Sequence, residues 1–239
     1  MNNKTWKLAA SAVVALNLFG FGASTAHAAL ITNGFTFAVA SSSSDTSSGS
    51  HYHSNTGGAF GNPIGKAEVG RYFSEEVRGL SEYNLAGLTS ASSAFVTFNV
   101  FKEGGLFAGA NDTPFTGSIT VEAYLGNNLE DISDYQAAST GLVGSFAVSP
   151  AALDVGDILS FDITSIFNTA ITNGDQSLGI RLRANPLNTE SQAWTFDNFR
   201  LTSDSQCTVG AACGVPEPAS LALLGLGLAG LGFTRRSKV

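Results

Sequence analysis

Short runs in which every second residue is apolar recur from residue 34 to residue 202. That two-residue period is the repeat of a pleated strand with one buried face. Residues 118–125 show it most clearly: Ile119, Val121, Ala123 and Leu125 point inward, while Thr120, Glu122 and Tyr124 point outward. Residues 178–184 repeat it, with Ile180 and Leu182 inward and Arg181 and Arg183 outward. Residues 94–101 are rich in the β-branched and aromatic side chains that a pleated core surface favours. Residues 34–40, 142–148 and 158–163 read as further strands, and residues 66–80 as one more, with Val69, Arg71, Phe73 and Glu75 on one face.

The run at 193–202 puts Trp194 and Phe196 on one face, yet Phe199 and Leu201 demand the other, so a bulge near Asp197 and Asn198 is expected. Residues 165–171 read as a short helix closed at Asn173 and Gly174. Residues 41–58, mostly Ser, Gly, Thr and Asn, read as a flexible loop. Seven to nine short strands with one helix predict an all-β fold, an antiparallel β-sandwich of jelly-roll type. The stretch from Ile158 to Leu182 resembles carbohydrate-binding-module jelly rolls, which implies a sugar-contacting surface.

The two ends of the chain differ from this middle. Lys4 and Lys7 precede an apolar stretch from Leu8 to Phe21, and Ala26 and Ala28 flank His27 as the small residues that signal peptidase requires. At the other end, Pro216, Glu217 and Pro218 precede a run from Ala219 to Thr234 without charge, followed by Arg235, Arg236 and Lys238. As a helix that run spans about 24 Å at 1.5 Å per residue, and snorkelling of the basic residues extends its reach across a bilayer. The basic cluster stays cytoplasmic, so the folded part faces out. Residues 215–238 resemble the PEP-CTERM sorting tail. The resemblance implies a Gram-negative cell that makes extracellular polysaccharide, an exosortase that acts near the Pro-Glu-Pro motif, and a cargo bound for the surface or the matrix. The expected organisation is a signal peptide (1–28), a β-sandwich cargo domain (29–206), a Cys-containing neck (207–214) and a sorting tail with one transmembrane helix (215–239). Its partners would be signal peptidase, exosortase, the inner membrane transiently, and extracellular polysaccharide.

Between residues 29 and 218 seven basic residues stand against nineteen acidic ones, a surface that repels phosphate backbones and disfavours nucleic acid. Cys207 and Cys213 read as a small disulfide loop in an oxidising compartment, with a free thiol as the alternative. For sugar contact the candidates are Tyr124, Arg181, Arg183 and Trp194, Trp194 also being readable as a core residue facing Phe196. Asn127, Asn128, Glu130, Asp131 and Asp134 offer oxygen donors for calcium, or form an ordinary solvated acidic loop. His51 and His53 share one face of an extended segment and would hold a divalent metal if a carboxylate joined them; otherwise they are solvated. No catalytic residue is assigned. The alternative to a non-catalytic structural or adhesive role is a secreted polysaccharide hydrolase, for which Glu122, Asp162 and Asp197 are the strand-borne carboxylates.

Overall fold

The computed structural model describes residues 29–208. The expected signal peptide, the sorting tail and all of the neck beyond Thr208, including Cys213, lie outside the described residues. Eleven strands form: β1 (Leu30–Asn33), β2 (Phe35–Ser42), β3 (Asp45–Ser54), β4 (Ala67–Tyr72), β5 (Glu75–Asn84), β6 (Phe95–Lys102), β7 (Gly117–Leu125), β8 (Ser139–Val148), β9 (Ile158–Asp162), β10 (Ser177–Ala184) and β11 (Ala193–Thr202). One α-helix, α1 (Thr164–Asn173), and a 3-10 helix (Ile132–Gln136) complete the described elements. Among the described residues no helix is long and apolar enough to cross a membrane.

Every strand pairing is antiparallel. The sheet runs β8-β7-β10-β5-β4-β11-β6-β9, with β2 and β3 joined beside β5 and β1 beside β11. β5 is the corner. Its residues from Gly79 to Asn84 pair with β10, whereas Glu75 to Val77 pair with β4, so the sheet folds over at this strand into two layers. A Cβ at Gly79 would lie 2.7 Å from the Ala67 methyl of β4, so the close crossing at the corner requires glycine there. At the far ends of the sheet, Phe146 of β8 and Phe161 of β9 meet with ring centroids 5.8 Å apart, which nearly closes the sandwich.

The core between the layers is built from the inward residues of the alternating runs. Ile119, Val121 and Ala123 of β7, Ile180 and Leu182 of β10, and Trp194, Phe196, Phe199 and Leu201 of β11 all belong to it. The expected bulge is present: the β11–β6 register slips between Asp197 and Arg200, and Asn198 adopts a φ of 52°. That slip lets Phe199 and Leu201 face the same core as Trp194 and Phe196. The helix also ends where expected, with Gly174 left-handed at φ 76° and its N–H returning to the carbonyls of Ala170 and Ile171.

Two expectations are corrected. The Ser-rich segment contains β3, a ten-residue strand that pairs with β2 at five positions, with register slips between them. Its first half is exposed and polar because the strand lies at the sheet margin; it is held by pairing at Asp45 and Gly49 and by hydrogen bonds from Tyr135 Oη to the Thr46 carbonyl and from the Gly49 amide to Gln136. The stretch 66–80 is not one strand. It reverses at Phe73 and Ser74, with Tyr72 pairing to Glu75, so the proposed common face of Val69 and Phe73 does not exist. Hairpin turns of two residues favour glycine or asparagine where φ is positive, and Phe73, at φ 50°, carries no such signal.

Candidate functional site

Three of the four residues expected to meet sugar are interior. Trp194 is fully buried in the core and donates from Nε1 to the Phe115 carbonyl at 2.8 Å. Tyr124 and Arg181 do point to the outer face of their sheet, but residues 126–138 fold back over that face. There Phe37, Val39, Leu80, Tyr124 and Tyr135 form a second apolar cluster. Arg181 fastens this cover. Its guanidinium donates to the carbonyls of Asp134, Tyr135 and Ala137 at 3.2, 3.1 and 2.8 Å and to Glu122 at 2.9 Å. Arg183 is half-buried.

The acidic segment is what forms the cover, and most of its polar side chains hold it in place, although Asn128 Oδ1 is buried without a partner. Asn127 Oδ1 accepts from the Leu129 amide, while Asn128 Nδ2 donates to the Gln176 carbonyl. Glu130 accepts from the amide and hydroxyl of Thr56 at 2.7 and 2.8 Å, tying the cover to the segment after β3. Asp131 caps the 3-10 helix by accepting from the Ser133 amide. Asp134 is buried, and desolvation first, then the charge of Glu82, pushes its carboxyl up to about 7. Glu82, fully buried, accepts from the amides of Asn127 and Asn128 and from the Ser177 hydroxyl.

The candidate carboxylates of a hydrolase have separate partners. Glu122 pairs with Arg181, Asp197 accepts from Lys66 Nζ at 2.6 Å, and Asp162 accepts from the Thr164 amide and hydroxyl at the start of α1.

Two features of the surface remain. The larger is a cleft of about 730 Å³ between the start of β2 and the bulge of β11, lined by Asn33, Phe35, Thr56, Asn99, Asn198 and Arg200 among others, with no acidic residue among the described residues of its wall. Arg200 is held in place by Asn99 Oδ1 at 2.9 Å and by Gln206 Oε1 at 2.8 and 3.0 Å. Amides, a fixed guanidinium and a half-exposed ring are groups that match hydroxyls and the apolar face of a sugar.

The smaller feature is a cluster on β3 and β5. His51 and His53 share a strand face, as the sequence indicated, with ring centroids 5.3 Å apart. β2 lies between these strands, Ala40 pairing with His51 on one side and Val77 on the other, so Glu75 reaches the histidines across small side chains. His51 Nε2 and His53 Nε2 lie 3.5 and 3.9 Å from one Glu75 oxygen. Among the described residues this is the group of three or more His, Cys, Asp or Glu side chains able to share a metal ion, its ligand atoms all within 4.8 Å of one another. Behind it, Glu68 faces His53 Nδ1 at 3.3 Å and accepts from Asn111 Nδ2. Tyr72 and Phe107 pack on His53, with centroids 5.1 and 4.7 Å away. Burial, then the neighbouring His53, lower the His51 pKa, with Glu75 opposing. The His-x-His spacing was visible in the sequence; Glu75, Glu68 and Asn111 were not, because strand pairing and a loop bring them in. Cys207 is not free; its expected partner lies outside the described residues.

Fold and surface together define an antiparallel β-sandwich module with a polar cleft and a separate histidine-carboxylate cluster. Its place in the cell is written in the tail: residues 214–236 match the PEP-CTERM protein-sorting motif. The chain is thus an exported protein carrying an exosortase sorting signal for the cell surface. None of the curated proteins compared with the chain matches it.

Proposed function

We propose that the sandwich is a non-catalytic structural or adhesive component of the cell surface or exopolysaccharide matrix, and that it contacts glycan in the cleft beside the β11 bulge. The observation that carries this reading is the make-up of that cleft: three asparagines, Arg200 and Phe35, with no carboxylate among the described residues that line it. Glycoside hydrolysis needs two carboxyl groups flanking one bond, whereas binding needs hydrogen-bonding groups and a ring face. Delivery by the sorting tail supplies the polymer-rich setting in which such a surface is useful. The ligand is the neutral or amide-bearing part of an extracellular polysaccharide, since the exported chain is itself strongly acidic.

The test is binding of the processed protein to the host's own exopolysaccharide and to a glycan array, beside an Asn33→Trp variant. Asn33 is an exposed residue at the end of β1, so the indole fills the cleft without entering the core. Saturable binding by the natural protein and its loss in the variant are expected. Absence of binding, or equal binding by both, refutes the cleft; release of reducing sugar by the natural protein refutes the non-catalytic role.

A further inference from the structure

We propose that His51, His53 and Glu75 form a mononuclear site for a borderline divalent transition metal, zinc being the best match, with Glu68 orienting His53 from behind. The inference stands apart from glycan binding and uses none of the cleft residues.

The geometry has three parts. First, the donors converge on a point that none of them satisfies. His53 is 1 % exposed, and its Nε2 has no hydrogen-bond partner; neither has the Glu75 oxygen that faces it. Leaving such groups unpaired in the interior is unfavourable, so an arrangement that aims them at one another calls for a shared partner. Tetrahedral zinc, with bonds of about 2.0–2.1 Å, holds its donor atoms roughly 3.3 Å apart. The separations of 3.5 and 3.9 Å to Glu75, and of up to 4.8 Å within the set, call for a closing movement that His51, 35 % exposed, is placed to supply.

Second, the tautomer is set for ligation. A His53 that donates from Nδ1 to the fully buried Glu68 keeps its lone pair on Nε2, toward the site. Asn111 in turn donates to the other Glu68 oxygen, which fixes the carboxylate. A buried carboxylate behind a ligating imidazole is the arrangement that orients metal-binding histidines.

Third, the surroundings select the metal. Two imidazoles and one carboxylate favour zinc or a neighbouring transition ion over calcium, which takes oxygen ligands in larger number. Tyr72 and Phe107 shield the buried side. Phe60, 72 % exposed, lies edge-on to the His51 ring at 6.3 Å, and this half-open side is the entry path. Three protein donors leave a fourth position for water or an oxygen of a bound molecule.

The competing arrangement is a proton shared among the same groups. Untagged, processed protein is freed of metal by chelation and dialysed against zinc alone and cobalt(II) alone, and metal per chain is measured. One equivalent is expected, with visible cobalt absorption of a low-coordinate nitrogen and oxygen site. His51→Ala and Glu75→Gln should each weaken binding by about tenfold or more, and Glu68→Gln by about 10–100-fold. Neither His51 nor Glu75 is part of the apolar core, so circular dichroism of those two variants should match the natural protein. Substoichiometric metal on the natural protein, or the same affinity in folded His51→Ala and Glu75→Gln, overturns the site.

Discussion

Replacing Arg181 with methionine separates a ligand-binding arginine from a structural one. The side chain is 5 % exposed and spans from β10 to the 126–138 cover, where it supplies the hydrogen bond to the Ala137 carbonyl and one each to those of Asp134 and Tyr135. Tyr135 O keeps a second donor in Arg78, and Asp134 O keeps the Ala137 amide, so only the Ala137 carbonyl is left without one. Glu122, 17 % exposed, loses its cation. Breaking a buried ion pair costs about 3–5 kcal/mol; discounting for the partial exposure of Glu122 and the retained donors gives about 2–4 kcal/mol. At this chain length that lowers the melting temperature by roughly 4–16 °C. Urea unfolding at pH 7 measures it, and a cycle with Glu122→Gln should return a coupling of about 1–2 kcal/mol. A cost below about 1 kcal/mol, or loss of glycan binding at unchanged stability, would refute the fastening role and return Arg181 to the binding surface.

Asp134→Asn should flatten the pH dependence of stability. Burial pushes the folded carboxyl up to about 7 from its ordinary 3.8, so the native state holds its proton longer and stability falls as pH rises through that window. Urea midpoints from pH 4 to 8 should drop less in the variant, and an unchanged slope would contradict the burial of an acid beside Glu82. Phe73→Gly removes a positive-φ cost of about 1–2 kcal/mol and adds back about 0.5–1 kcal/mol of unfolded-state entropy. The variant should therefore be as stable as the natural protein or slightly more so, and a loss above about 1 kcal/mol would show that the exposed ring holds the turn. Trp194→Phe leaves the Phe115 carbonyl without its indole donor and opens space in the core, costing about 2–4 kcal/mol by chemical unfolding. Tryptophan emission of the natural protein should be blue-shifted and indifferent to added polysaccharide; a ligand-dependent shift would contradict core placement.

Alternation along β7 and β10 was enough to assign inward and outward faces except at the end of β7, where Leu125, expected inward, is exposed, and the conflict between Phe196 and Phe199 was enough to locate a bulge. Local chemistry also marked the end of α1. What it could not reveal was whether an outward face stays wet. Tyr124 and Arg181 are outward and buried, because a segment whose acidic composition looked like a solvated loop folds over them through Asp131, Asp134 and Tyr135. The same limit hid β3, whose serines carry no apolar stripe and which is ordered by its pairing with β2. The histidine pair was legible as a motif of two; its third donor comes from β5, with β2 in between, and only the strand order connects them. The cleft had no local signature at all, since its asparagines come from β1, β6 and β11.

The most direct test of the sorted, surface-bound account is the intact mass and fractionation of the native protein in its host, with and without the exosortase. The account predicts a chain trimmed at both ends in the surface or extracellular fraction, and a tail-bearing form held at the inner membrane when the enzyme is missing. The same mass and the same location in both strains would contradict it.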